Sequence, residues 1–164
     1  MDQAREWTGR EVWTRKLLYP AHTLPTAAAP VMVAVGLAIH DGVFAPVPAL
    51  VALLTGWLIQ LGGVLTDNYE NLLEEPEDRE HPELVRAVKS GTLRLSTLKA
   101  AIWACFLGAA LACVYLVFVA GMGVVISAVA AIAAAWAYSA GPFPFGKAGI
   151  AEPFFFLFFG TISV

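Results

Sequence analysis

Residues 43–83 read VFAPVPALVALLTGWLIQLGGVLTDNYENLLEEPEDREHPE, an apolar run followed at once by an acidic one. The apolar part, residues 43–65, is long enough for a helix that crosses the hydrocarbon core of a bilayer, which needs roughly 20 residues. The acidic part holds eight carboxylates between residues 67 and 83. Oxygen ligands gathered where a membrane span ends suit a divalent cation and a phosphorylated lipid.

The composition of the whole chain predicts an integral membrane protein. Of its 164 residues, 59% are hydrophobic and only 14% are charged, whereas a soluble domain carries about 25% charged residues. Cys105 and Cys113 both lie in one apolar run and are expected to be ordinary helix residues rather than a disulfide or a metal pair. No soluble domain is visible, and no nucleic-acid partner is expected.

Further apolar runs predict an all-α polytopic bundle of about five transmembrane helices, forming one membrane domain over residues 1–164. The runs cover residues 21–39, 43–65, 100–120, 122–138 and 150–164. Very short connections make the first two and the next two tight hairpins. Pro30 is expected to kink or break the first helix. The last run is too short for a full span. It is re-entrant or continues in a longer natural protein, and we favour the second reading.

All ten lysines and arginines fall on one side of this predicted topology. The positive-inside rule therefore places the N-terminus and the acidic segment in the cytoplasm. The lipid bilayer itself is the surrounding partner. Residues 1–20 contain aromatic and basic side chains and predict an interfacial helix lying on the membrane. A docking helix for a partner protein fits them equally well.

Three polar residues follow the second span at intervals of four. Asp67, Asn71 and Glu75 share one face if the span continues as a helix into the cytoplasm. Such a row offers oxygen atoms to Mg²⁺, which binds through one or two carboxylates plus substrate phosphates. A solvated acidic spacer between two spans is the alternative. Just before the row, Gly62 and Gly63 permit close approach of a ligand or of a neighbouring helix.

Cations and aromatic residues on the same side offer the other candidate groups. Arg86 and Lys89 could hold a diphosphate together with a metal ion, or simply anchor the loop on the positive side. Residues 138–147, from Tyr138 to Lys147, could wall a lipid-substrate cavity or form an interfacial hairpin. No glycine-rich phosphate loop and no Ser/His/Asp set is visible, so no catalytic residue is assigned.

Three stretches in matching order resemble the UbiA-type intramembrane aromatic prenyltransferases, most nearly those of menaquinone synthesis that act on 1,4-dihydroxy-2-naphthoate. The stretches are residues 22–31, 60–91 and 138–160. The resemblance implies a polyprenyl diphosphate donor, an aromatic acceptor and Mg²⁺ in the cell membrane of a bacterium or archaeon. It implies these site residues: Asp67, Asn68, Asn71 and Glu75 for the metal, Arg86, Lys89 and Lys147 for the diphosphate, and Tyr69 and Tyr138 for the substrate cavity.

The chain departs from the family pattern in two ways. The family's first aspartate-rich motif reads Asn-Asp-x-x-Asp-x-x-x-Asp, whereas Asp67 and Asn68 are swapped here and Asn71 replaces a carboxylate. An amide oxygen still binds a hard cation but brings no charge, so metal affinity should fall. The family also has nine helices and a second such motif after the sixth, so the 164-residue chain alone is expected to be inactive.

Three functions remain open at this point. The leading interpretation is the N-terminal part of a UbiA-like prenyltransferase. The alternative is a catalytically degenerate UbiA-like structural subunit packed with other membrane subunits in a larger complex, which the altered motif favours. A small transporter or channel is the weaker third reading.

Overall fold

A computed structural model describes residues 8–17, 24–74, 82–139 and Pro153. Within these residues every regular element is helical and no strand occurs, which confirms the all-α prediction. The fifth apolar run, residues 150–164, lies outside the described part except for Pro153. The helices are α1, made of Gly9–Glu11 and a wider π-helical turn Val12–Leu17, then α2 (Leu24–His40), α3 (Pro46–Glu74), α4 (Pro82–Lys89), α5 (Leu95–Ala120) and α6 (Gly123–Ser139).

Both expected hairpins form. α2 and α3 are joined through Gly42, which has φ of 70°, and the amide of Val43 donates to the carbonyl of Ala38 at 2.9 Å. Gly121 caps the end of α5 and has φ of 85°. The amide of Gly121 donates to the carbonyl of Val117 at 2.8 Å. Positive φ costs glycine little because it has no Cβ, so these two residues allow the chain to reverse within a few residues.

Two of the described helices, Pro46–Leu73 and Leu95–Ala120, are long and apolar enough to cross a membrane. α2 and α6 have 17 residues each, or about 26 Å of helix against a hydrocarbon core of roughly 30 Å. These lengths are consistent with an integral membrane protein. The number of spans and the side of the N-terminus stay predictions.

Pro30 does not break the first apolar helix, and a kink at this residue stays a prediction. α2 runs through Pro30 to His40. Ala27 and Pro30 are its two buried residues, and the indole Nε1 of Trp57 on α3 donates to the carbonyl of Leu24 at 3.3 Å. The bond from Trp57 ties the start of α2 to α3, and it does not replace the bond that Pro30 removes, whose acceptor would be the carbonyl of Thr26.

α3 is the central helix and packs against α2, α5 and α6. Small residues mark the contacts: a Cβ placed at Gly56 would lie 3.4 Å from the carbonyl oxygen of Ala27, and one at Gly63 would lie 3.5 Å from Cβ of Ala135. At Gly62 a Cβ would come within 2.8 Å of Cε1 of Phe106 on α5. The glycines before the acidic row therefore admit neighbouring helices, one of the two uses that the sequence left open.

The predicted cytoplasmic end carries a buried cluster that we call the cap. It joins α1, α4, the end of α3 and the first half of α5. Its buried members are Val12, Leu17, Leu65, Leu84, Ala87, Leu93, Leu98, Ile102 and Phe106. The apolar side of α1 is thus covered by protein, since Val12 and Leu17 are almost fully buried. An interfacial position for residues 1–20 stays a prediction.

Candidate metal and diphosphate site

α3 continues beyond the predicted end of its apolar run and carries the first acidic residues on a helix. It ends at Glu74, so Asp67 and Asn71 lie on one face, as their spacing predicts. The amide Nδ2 of Asn71 donates to Oδ2 of Asp67 at 3.4 Å, and both side chains are half-buried. Glu75, the third member of the row, lies outside the described residues.

Asn68 is directed away from this pair. It is only 7% exposed, and its Nδ2 donates to the carbonyl of Val64 at 2.9 Å. One residue along an α-helix is a rotation of about 100°, which separates Asn68 from Asp67 around the helix. Thr66 likewise donates to the carbonyl of Gly62 at 2.8 Å. The structure ties Asn68 to its own helix, and its role as a metal ligand stays a prediction.

Tyr138 of α6 lies at the same level as Asp67. α3 and α6 run in the same direction, because two reversals of the chain separate them. Gly63 meets Ala135 at their contact. Asp67 is one turn beyond Gly63, and Tyr138 is three residues beyond Ala135, so both reach the same end of the helix pair. The structure therefore places two residues of the predicted site, far apart in the sequence, at the same end of the α3–α6 pair.

Tyr69 packs elsewhere. Its ring is half-buried and lies against the cap cluster, together with Leu72. On a helix with 100° per residue, Tyr69 is about 200° from Asp67, nearly on the opposite side of α3. The contacts of Tyr69 therefore support the cap, and its predicted place in a substrate cavity stays untested.

The two described cations of the candidate site lie on α4. Arg86 and Lys89 are exposed, whereas Leu84, Val85 and Ala87 on the same helix are buried. The buried side of α4 fixes its orientation against the cap and leaves both cationic groups toward solvent. Lys147, the third predicted cation, lies outside the described residues.

The pair Ser90-Gly91, which belongs to the stretch that resembles the prenyltransferases, ends α4. Gly91 has φ of 75°, and its amide donates to the carbonyl of Val88 at 3.0 Å. Two residues later the amide of Leu93 donates to the carbonyl of Ala87 at 2.9 Å, and the Leu93 side chain is buried in the cap. This turn sets where the helix that bears Arg86 and Lys89 stops.

The donor atoms on α3 suit a metal ion that is shared with a substrate. Among the described residues, no three His, Cys, Asp or Glu side chains come close enough together to hold a metal alone. Asp67 offers a carboxylate, and the amide of Asn71 beside it offers a carbonyl oxygen. Mg²⁺ keeps several waters and commonly takes one or two carboxylates plus substrate phosphates, so this sparse set fits it.

An apolar groove of about 200 Å³ lies elsewhere, between α3, α5 and α6. Thr55, Cys113 and Ser127 are among its lining residues, and neither Tyr69 nor Tyr138 is. Thr55 precedes Asp67 by twelve residues, or about 18 Å along the helix. This groove is therefore separate from the acidic row.

α1 supports the candidate site in a way that the sequence reading missed. Its first turn is a capping box: the amide of Glu11 donates to Oγ1 of Thr8 at 3.3 Å, and the amide of Thr8 donates to Oε2 of Glu11 at 3.1 Å. The pattern Thr-x-x-Glu is a known helix-start signal and could have been recognised. Val12 and Leu17 then pack in the same cluster as α4. No sequence pattern predicts that α4 is the element they contact.

Comparison with known proteins gives two informative matches. The chain is 30% identical over 148 residues to the 1,4-dihydroxy-2-naphthoate octaprenyltransferase of Escherichia coli and 33% identical over 145 residues to the protein of the same name from Mycobacterium tuberculosis. Each match covers 87% of this chain and 48% of the relative. The chain thus spans about half the length of these curated relatives. No family model and no solved structure matches it.

Proposed function

Because the chain is related over most of its length to the UbiA-type intramembrane aromatic prenyltransferases, we propose that it forms part of an enzyme of quinone or related lipid biosynthesis. That enzyme transfers a polyprenyl group from its diphosphate to an aromatic acceptor. The observation that carries the proposal is the half-buried Asp67–Asn71 pair near the end of a 29-residue helix that is apolar for most of its length. A donor with a charged diphosphate and an apolar chain needs its site at such a boundary.

Each side chain has a distinct task in this proposal. Asp67 and Asn71, with Glu75 beyond them, hold Mg²⁺, and Mg²⁺ when bound supplies positive charge to the diphosphate. Arg86 and Lys89, with Lys147, take the remaining phosphate charge through charge-assisted hydrogen bonds. Tyr138, at the level of Asp67, walls the site on its α6 side.

The reaction itself exchanges one bond for another. The allylic C–O bond of the donor breaks, and its electron pair leaves on the diphosphate. A carbon of the electron-rich acceptor ring supplies the pair for the new C–C bond and then loses its proton. Cationic groups that meet the charge of the departing diphosphate stabilise this transition state more than the bound substrate.

We place the protein in the cell membrane of a bacterium or archaeon, with the acidic segment in the cytoplasm. In a background without Cys105 and Cys113, cysteines introduced at Ser96 and Asp41, both exposed, test this. An impermeant maleimide added to intact cells should label Asp41→Cys and spare Ser96→Cys until the cells are lysed. Labelling of Ser96→Cys alone would contradict the topology.

The metal site is tested by changing the charge of the Asp67–Asn71 pair in the full natural protein. Asn71→Asp should strengthen Mg²⁺-dependent binding of a non-hydrolysable prenyl diphosphate analogue about ten-fold or more, and Asp67→Asn should weaken it. One added charge beside the metal, at an effective dielectric of about 20, favours binding by roughly 1–3 kcal/mol after desolvation losses. Equilibrium titration with and without a chelator measures this.

Asp41 provides the matched control. It is an exposed carboxylate in the turn between α2 and α3, at the opposite end of α3 from Asp67. Asp41→Asn removes the same charge as Asp67→Asn and should leave the affinity unchanged. Equal affinities for the wild type and for all three variants would contradict the metal site.

A structural subunit without catalysis is the second candidate, and one observation favours it. The amide of Asn71 already donates to the carboxylate of Asp67, so the pair makes a hydrogen bond without any cation. Under this reading the pair is a packing surface of a larger membrane complex. The same titration separates the two functions, because a packing surface shows no Mg²⁺-dependent binding of the analogue in any variant.

A further inference from the structure

α5 has one buried side and one continuous exposed side. Leu98, Ile102 and Phe106 are buried against the rest of the protein. On the opposite side the exposed residues follow one another at helical spacing and are Lys99, Trp103, Leu107, Leu111, Val114 and Phe118. Trp103 is 66% exposed and Phe118 is 86% exposed. This side has a single cation, and it stands at the end nearest the cap.

The dimensions of this side match a membrane. Lys99 and Phe118 are 19 residues apart, or about 28 Å along the helix, close to the roughly 30 Å hydrocarbon core. With Phe118 at the far boundary, Lys99 lies at the level of the lipid headgroups. Trp103 is one turn deeper, about 6 Å along the axis, where tryptophan is enriched in membrane proteins.

The exposed cation on this side of α5 is suited to an anionic partner. Residues 92–120 contain no Asp or Glu, so the exposed Lys99 has no carboxylate on its own helix. α6 provides a contrast. Trp136 is 50% exposed near the corresponding end of α6, but α6 contains no Lys or Arg at all. The two tryptophans thus differ in having, or lacking, a cation one turn away toward the headgroups.

We propose that Lys99 and Trp103 bind the headgroup of an anionic phospholipid of the same leaflet. The ammonium group of Lys99 donates to the phosphate oxygens, and the indole of Trp103 lies beside the glycerol region, with the acyl chains along Leu107 and Leu111. This inference rests on the membrane placement given under Proposed function, and it does not depend on prenyl transfer.

Quenching by brominated lipids tests the site in the full chain, reconstituted into nanodiscs of phosphatidylcholine and phosphatidylglycerol. The lipid ratio stays constant, and only the lipid class that carries bromine changes. The signal of Trp103 is the difference between the wild type and Trp103→Phe, and that of Trp136 is obtained likewise. Brominated phosphatidylglycerol should quench Trp103 as if enriched about five-fold over phosphatidylcholine, the effect of one cation near an anionic leaflet. Trp136 should show no such preference.

Three variants complete the test. Lys99→Gln should bring the preference at Trp103 to about one, and Lys99→Arg should keep it. Arg10→Gln, which removes the same charge from an exposed residue of α1, should also keep it. Equal quenching of Trp103 by both lipids in the wild type would overturn the headgroup site. Quenching of Trp136 but not of Trp103 by either lipid would show that protein covers this side of α5. Absence of quenching at both tryptophans would instead contradict the membrane placement.

Discussion

The cap and the apolar helices that lead away from it are packed by different rules. Among the residues that the structure describes, the six largest fully buried side chains all belong to the cap: Leu17, Leu65, Leu84, Leu93, Leu98 and Val12. Along the rest of the helices the close contacts involve small residues such as Gly56 and Gly63, and large apolar side chains such as Leu107 remain exposed. In water, burial of large apolar groups stabilises a fold, whereas lipid tails give no such driving force and favour close packing of small residues. The packing of this chain is thus consistent with water around the cap and lipid around the apolar helices.

The largest expected effect comes from truncating a buried leucine of the cap. Leu17→Ala should lower the free energy of unfolding by about 2–5 kcal/mol, because it removes buried methyl groups and leaves a cavity. Leu107→Ala, at a side chain that is 61% exposed, should cost less than about 0.5 kcal/mol. Denaturant titrations of both variants in the same micelles measure the difference. Equal losses would erase the contrast between the two regions.

An intermediate effect is expected where α3 meets α5. Gly62→Ala would push a methyl group to within 2.8 Å of Phe106, and overpacking of this kind costs about 1–3 kcal/mol. Gly36→Ala is the matched control, since a Cβ there meets nothing within 4 Å, and it should be neutral or stabilising by about 0.5–1 kcal/mol. Thermal unfolding of both variants gives the comparison. Adding Phe106→Leu should recover part of the loss at Gly62, and failure of this rescue would argue against a direct clash.

The smallest effect concerns the Asp67–Asn71 pair without ligand. Asn71→Asp replaces a hydrogen bond by two carboxylates four residues apart, and such pairs destabilise a helix by about 0.2–0.5 kcal/mol. Unfolding in a chelator should show this loss, and millimolar Mg²⁺ should remove it. A loss that Mg²⁺ leaves unchanged would mean that the pair belongs to the packed structure and not to a metal site.

The periodicity of the sequence was sufficient to predict both hairpins and the helical continuation of α3 through Asp67 and Asn71. The apolar runs and the glycines between them predict both reversals, and a spacing of four predicts that Asp67 and Asn71 share a face. These features depend on local chemistry and on the length of a span, and both can be read from neighbouring residues in the sequence. The comparison with the octaprenyltransferases confirms the resemblance that residues 60–91 and 138–160 indicate.

The cap could not be predicted in the same way. α4 has only eight residues, so its pattern is too short to stand out, although Pro82 and Gly91 mark its ends. An amphipathic segment such as α1 must cover its apolar side, but its sequence does not distinguish lipid from protein as the cover. The rotation of Asn68 and Tyr69 away from Asp67 follows once α3 is known to be a regular helix, whereas a motif alone treats the three as one set.

The burial of Leu17 in one cluster with Leu84 of α4 has a consequence for biogenesis. The two residues are about 67 positions apart, so at 5–20 residues per second the ribosome needs roughly 3–13 s to make the second after the first. During that interval the apolar side of α1 lacks the part of its cover that α4 supplies. That side must rest on the membrane surface or on a chaperone until α4 arrives, so α1 reaches its native place well after it is made.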